Sequence, residues 1–116
     1  MELPELLKIA GQPHLIASAE TANLYLAELQ GYISALRLEV NEAELKSDLL
    51  LNKLLKEGKG VELQKSNWKV SPEYLEWREK KGLLSDIRAV RRMLERHSSL
   101  LEQQQKFTPK TYDRVI

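Results

Sequence analysis

Residues 15–54 read LIASAETANLYLAELQGYISALRLEVNEAELKSDLLLNKL, and one seam runs through them in alternating steps of four and three. Its members are Leu15, Ala19, Ala22, Leu26, Leu29, Ile33, Leu36, Val40, Ala43, Ser47, Leu50 and Leu54. A heptad sustained this long marks one helix that buries a narrow stripe against other helices. At ~1.5 Å per residue such a helix, from about residue 13 to 56, is on the order of 60 Å long. A second apolar set, Tyr25, Tyr32, Leu38, Leu45, Leu49 and Leu55, widens the stripe. The helix is therefore expected to touch more than one neighbour. Gly31 does not end so strong a periodicity, and it permits a close helix crossing beside Tyr32.

The flanks read as follows. Pro4 suits the first turn of a short helix over about 3–10 that carries Leu6, Leu7, Ile9 and Ala10, with Gly11 as its C-terminal cap. Pro13 marks entry to the long helix, and Ser18 is a second candidate start. Gly58-Lys59-Gly60 breaks the pattern and opens a basic linker over 57–71. Val61-Glu62-Leu63 alternates like a strand, so a small hairpin or an extended strap both fit this linker. Ser71-Pro72-Glu73 supplies an N-cap, a first-turn proline and an acidic residue at the positive helix end. A second long helix is expected over about 72–106, its seam running Tyr74, Trp77, Leu83, Ile87, Val90, Leu94, His97 and Leu101. Gly82 is a candidate kink, and Pro109 is expected to end any helix, leaving 107–116 as a tail. The fold class that follows is all-α: one domain with two long helices in a helical hairpin and a short N-terminal helix.

Two long rods do not easily enclose a core, so the missing core is expected from other copies of the chain or from a partner. The expected oligomer interface comprises Leu26, Leu29, Ile33, Leu36, Val40, Leu50, Leu54, Leu83, Ile87, Val90, Leu94 and Leu101.

Composition narrows the functional classes. Hydrophobic residues make up 42% and charged residues 30%, which fits packed helices with solvated outer faces. Cysteine is absent, which removes disulfides, thiolate chemistry and cysteine-ligated zinc, and fits a reducing cytoplasm. The start, Met1 to Glu5, is acidic without an apolar signal core. The longest leucine run, Leu49-Leu50-Leu51, falls far short of the ~20 apolar residues of a membrane span. Net charge is only +1, but residues 1–55 hold four basic side chains against eight acidic ones. Residues 56–116 hold fourteen basic against nine acidic. Such asymmetry orients neighbouring subunits or presents a basic surface to a polyanion.

No residue set specifies a reaction. His14 and His97 have no second histidine at metal-pair spacing. Glu39, Glu42, Glu44, Glu73, Glu76 and Glu79 are interleaved with lysine and arginine on helix faces, as solvated carboxylates are. Gly58-Lys59-Gly60 lacks the spacing and the Ser/Thr of a phosphate-binding loop. No enzyme, cofactor or metal site is expected.

The basic residues are more informative. Arg78, Lys81, Arg88, Arg92 and Arg96 fall close to one face of the second long helix, while Lys56, Lys59, Lys65 and Lys69 surround Trp68. Cations neutralise phosphates, and an aromatic ring stacks on an unpaired base. The competing reading is Arg–Glu pairing between helices, with Trp68 packed as an anchor for the linker.

The chain also resembles the UvsY-type helical recombination mediators of bacteriophages. The resemblance spans about residues 20–106 and is carried by Asn23-Leu24-Tyr25-Leu26-Ala27-Glu28-Leu29, the long helix after it, the Gly58-Lys59-Gly60 break, and the second helix from Tyr74. It implies a ring-forming, all-α protein without catalytic activity that binds single-stranded DNA and helps load a recombinase in the cytoplasm of an infected cell. It implies DNA contacts near the end of the first long helix, where Lys53, Lys56 and Lys59 stand; the chain departs from the family in lacking other basic residues between Lys46 and Lys53. The expected function is therefore a homo-oligomeric single-strand-binding accessory. Its backbone tracking would fall to Lys53, Lys56, Lys59, Lys65, Lys69, Arg88 and Arg92, with Trp68 as a stacking platform. The alternative is a helical protein-interaction module, such as a phage-encoded inhibitor, adaptor or assembly scaffold.

Overall fold

The computed structural model describes residues 1–115, with side chains through Gln105. In order they form α1 (Leu3–Ala10), one 3-10 turn (Pro13–Leu15), α2 (Ala19–Lys56), α3 (Val61–Lys69) and α4 (Pro72–Val115). Among the described residues there is no strand, so the fold is all-α. None of these helices is long and apolar enough to cross a membrane.

Local chemistry sets the boundaries. α2 begins at Ala19 rather than near Pro13, because Ser18 caps it. Its hydroxyl oxygen accepts the Thr21 N–H at 3.4 Å, and its carbonyl accepts the Ala22 N–H at 3.0 Å. Ile16 is extended between the 3-10 turn and α2, and Leu15 leaves the seam at 68% exposure. α2 ends where Gly58 (φ 72°) and Gly60 (φ 94°) take left-handed backbone, which costs other L-residues about 1–2 kcal/mol each.

The interval 57–71 is neither hairpin nor strap. Most of it is α3, whose low apolar content hides it from periodicity, and which is held from outside by Gln64 and Trp68. Ser71 then joins two helices. Its hydroxyl donates to the Trp68 carbonyl at 2.6 Å and accepts the Tyr74 N–H at 3.2 Å, capping α4 as expected. α4 passes Pro109 and reaches Val115 instead of ending near Lys106. Proline's fixed φ of about −65° is a helical value, so the backbone can continue with one hydrogen bond fewer. Of the expected tail, Ile116 lies outside the described residues.

The chain divides into two compact units. The first contains Met1–Tyr32 and α4 from Ile87 onward. Leu6 and Ala10 of α1, Ala22 and Leu29 of α2, and Ile87 and Leu94 of α4 are buried there. Polar groups tie its elements. Ser98 Oγ donates to Asn23 Oδ1 at 2.8 Å, Asn23 Nδ2 donates to Glu102 Oε1 at 3.4 Å, and the Tyr32 hydroxyl donates to the Met1 carbonyl at 2.6 Å. The second unit, Ile33–Asp86, buries Ile33, Leu36, Val40, Ala43 and Ser47 of α2, Gln64 of α3 and Leu84 of α4.

These cores correct the premise that one chain is too thin to shelter its seam. Leu29, Ile33, Leu36, Val40, Ile87 and Leu94 are buried by the single chain, and Leu26, Leu50, Leu54, Val90 and Leu101 are half-buried. They are therefore core residues first, and a second copy cannot reach the buried six while the units are intact. Leu83 is exposed and its neighbour Leu84 points inward, because the α4 seam steps from Leu84 to Ile87. Gly31 faces open space with nothing within 4 Å of a Cβ built there, so no close helix crossing uses it.

Candidate nucleic-acid interface

Within the second unit, the α3–α4 junction assembles three aromatic rings. Trp68 and Tyr74 meet edge to face with centroids 4.6 Å apart, and Tyr74 and Trp77 do so at 5.7 Å. Two features of the sequence bring them together. Trp68 stands in the last turn of α3, and the Ser71 cap turns the chain so that Tyr74 follows three residues later.

The rings differ in what they have left to offer. The Trp68 indole N–H lies 2.9 Å from both the Ser47 carbonyl oxygen and Ser47 Oγ, on α2. Ser47 is itself fully buried. Trp68 thus serves as the anchor that docks α3 on α2, with its donor used and its ring edge against Tyr74. Of the two readings of this residue, the geometry favours the packed anchor over the free stacking platform.

Trp77 has the opposite situation. It and Tyr74 line an open cleft of about 370 Å³ together with Arg78, Lys81, Gly82 and Ser85. Lys81 Nζ sits 4.9 Å from the Trp77 ring centroid. The Arg78 guanidinium carbon lies 5.9 Å from the Tyr74 ring, and Arg78 donates to the Tyr74 hydroxyl at 3.1 Å. Both cations are exposed and are oriented by aromatic partners. Gly82 leaves the cleft wall open, with nothing within 4 Å of where a Cβ would stand. Two aromatic rings, each with an exposed cation over it, bring together the stacking surface and the positive charge that suit a planar base joined to a phosphate.

The remaining sequence-derived residues fall into both units. Lys53, Lys56, Lys59, Lys65 and Lys69 are exposed in the second unit, with Lys65 and Lys69 one turn apart on α3. Arg88 and Arg92 are exposed on α4 in the first unit, and among the described residues neither forms an ion pair. Other cations on α4 are committed to carboxylates, Arg91 to Glu95 at 2.9 Å and Lys80 to Glu76 at 3.1 Å. The hydrogen bond that Lys80 donates to the Glu76 carboxylate raises the Lys80 pKa above its ordinary value, helped by the charges of Glu76, Glu39 and Glu42. Of these glutamates only Glu76 pairs with the lysine. His97 is spent on structure, its Nε2 lying 2.6 Å from the Ile16 carbonyl.

In the sequence Tyr74 and Trp77 fall on the apolar seam, and Arg78 and Lys81 on the basic face. The spacing of four between Tyr74 and Arg78, and again between Trp77 and Lys81, places each cation one turn above a ring. That spacing was the available signal for this cleft. A second cleft, of about 580 Å³ in the first unit, is lined by apolar side chains such as Ile9, Leu15 and Ile16 and equally by polar ones such as Glu5, Lys8 and Thr21.

No protein-family model, curated protein or solved structure matches the chain.

Proposed function

We propose that this chain is a non-enzymatic, homo-oligomeric protein that binds single-stranded nucleic acid, an accessory to phage recombination or replication of the mediator kind its sequence resembles. One observation carries this reading. The Tyr74–Trp77 cleft offers stacking surface beside two oriented cations, Arg78 and Lys81. A base enters against Trp77, and the adjoining phosphates meet Arg78 and Lys81. Lys53, Lys56, Lys59, Lys65 and Lys69 extend the cationic character of the second unit, and Arg88 and Arg92 add a set in the first. Recognition is electrostatic along the backbone and indifferent to sequence, because every base has a face to stack. In this reading α2 and α4 close as a helical hairpin. The Trp68–Ser47 hydrogen bonds and the influence of Glu39 and Glu42 on Lys80 support that closure. The protein works in the cytoplasm of an infected bacterium, beside a recombinase that it helps to load.

Fluorescence anisotropy with a labelled oligothymidylate tests the proposal. Binding is expected at low salt and should weaken steeply as salt rises. Changing both Arg78 and Lys81 to Ala should reduce the log–log salt slope by about 1 to 1.5, at ~0.7 per phosphate contact for single strands. Absence of binding at low salt, or a double variant with an unchanged slope, overturns it.

The competing reading, a protein-interaction module such as an inhibitor, adaptor or scaffold, draws on the exposed leucines of α2. A stoichiometric protein partner that survives nuclease treatment in a lysate pull-down, with no oligonucleotide affinity, favours that reading instead.

A further inference from the structure

Within the second unit α2 carries a second apolar line that none of the described residues covers. Leu38, Leu45 and Leu49 are 68%, 61% and 59% exposed. Each lies two residues from a buried position, Leu38 from Leu36 and Val40, Leu45 from Ala43 and Ser47, and Leu49 from Ser47. Two residues on a helix are about 200° of rotation, so these leucines face directly away from the core. With Glu42, Asn52 and Lys56 they form a line spaced four, three, four, three, four, which is the spacing of a helix–helix seam. One helix thus presents two seams, an inner one closed by its own chain and an outer one left open.

We infer that the outer face of α2 pairs antiparallel with the same face of a second copy, Leu45 of each against Leu49 of the other. This rests on the self-association in the proposed function but not on nucleic-acid binding. Charge selects the occupant and its direction. In a parallel pair, Glu42 would meet Glu42 and Lys56 would meet Lys56, placing like charges together. Antiparallel pairing with Leu45 on Leu49 sets Glu42 against the second copy's Asn52 and beside its Lys53. It also sets Leu38 under the stem of the second copy's Lys56, which covers the leucine while its ammonium stays wet. Each acidic end of the face then meets a basic end. The contact is isologous, so it closes at two copies. Three leucines from each side make a small interface compared with the roughly 1,000 Å² of a stable pair, so association is weak and concentration-dependent.

Sedimentation velocity across a rising concentration series, on the full chain, tests this. The wild type should move from one copy to two. The double variant L45E L49E should keep its helicity, both positions being exposed, and stay at one copy at every concentration. The absence of cysteine permits a register test. An equimolar mixture of L45C and L49C chains under mild oxidation should give more mixed crosslink than the half expected from random pairing. The inference is overturned by a wild type that stays single at the highest concentration, by a double variant that still pairs, or by crosslinks no richer than random. Oligonucleotide anisotropy on the same samples separates the two claims. A single-copy wild type that still binds the strand sinks the pairing and the self-association while leaving strand binding intact, whereas a pairing wild type that ignores the strand sinks the nucleic-acid reading alone.

Discussion

Trp68 and Trp77 stand nine positions apart, and exchanging them one at a time should move different observables. Trp68→Phe keeps an aromatic ring against Tyr74 and removes only the indole donor. That donor serves Ser47 Oγ and the Ser47 carbonyl, each at 2.9 Å, at a residue with no solvent exposure. Removing the donor leaves a buried hydroxyl without its partner, at a cost of about 1–3 kcal/mol. The hydroxyl can turn to its own helix carbonyl one turn back, so the lower half of that range, ~1–1.5 kcal/mol, is expected. With a urea m-value of ~1–3 kcal/mol per molar, the midpoint followed by circular dichroism at 222 nm should fall by roughly 0.3–1.5 M. Oligonucleotide affinity of the folded variant should be unchanged. Trp77→Ala should behave in the opposite way, with a smaller loss of stability and a loss of ~1–3 kcal/mol in binding, the worth of one stacked base. If Trp68→Phe leaves the urea midpoint in place yet weakens binding as much as Trp77→Ala does, the assignment of anchor and stacking residue is reversed.

Further outcomes follow from the packing, the backbone and one ion pair. Leu36→Ala should cost about 2–5 kcal/mol in a denaturant titration, independent of protein concentration, because its cavity opens inside one chain. Exposed Leu45→Ala should stay within about 0.5 kcal/mol for a dilute sample. Gly58→Ala should lower stability by about 1–2 kcal/mol through its left-handed backbone, while Gly31→Ala, in an open helix interior, should raise it by up to ~1 kcal/mol; paired thermal melts check both signs. Lys80 has a folded-state pKa above the ordinary 10.5, so its contribution is fully present below that value and is lost as pH rises through the folded one. Lys80→Met should therefore leave the stability profile between pH 6 and 9 unchanged in shape, and should remove part of its decline above about pH 10.5 in alkaline melts.

Much of α2 was legible because its information is local. Ala19, Ala22, Leu29, Ile33, Leu36, Val40, Ala43 and Ser47, chosen on step alone, are all buried. The Ser71 cap was legible for the same reason, since a hydroxyl ahead of Pro72 can satisfy a free N–H whatever surrounds it. α4 was harder. Leu83 and Leu84 are adjacent and equally apolar, so pattern cannot choose between them, and the packing of the second unit selects Leu84. α3 had little to read. It holds few apolar residues, and two contacts across the unit, the burial of Gln64 and the Trp68–Ser47 hydrogen bonds, hold it in place.

The candidate cleft was half visible. Tyr74, Trp77, Arg78 and Lys81 stand out in the sequence, but in two separate roles, because a periodic seam and a basic stripe look independent until the rings and cations are placed a turn apart; Ser85 carries no such signal. The lysines around Trp68 point to that tryptophan, rather than Trp77, as the stacking residue. Only the hydrogen bonds to Ser47 show that its donor is already used.

What the sequence determined by itself is therefore the helical class, the long seam of α2 and the chain breaks at Gly58, Gly60 and Ser71, all consequences of backbone geometry and spacing over a few residues. The tertiary structure alone decided what covers that seam. A heptad has the same spacing whether its cover is another part of the chain or another molecule, and here the chain's own cores enclose it, leaving the opposite leucines of α2 in water.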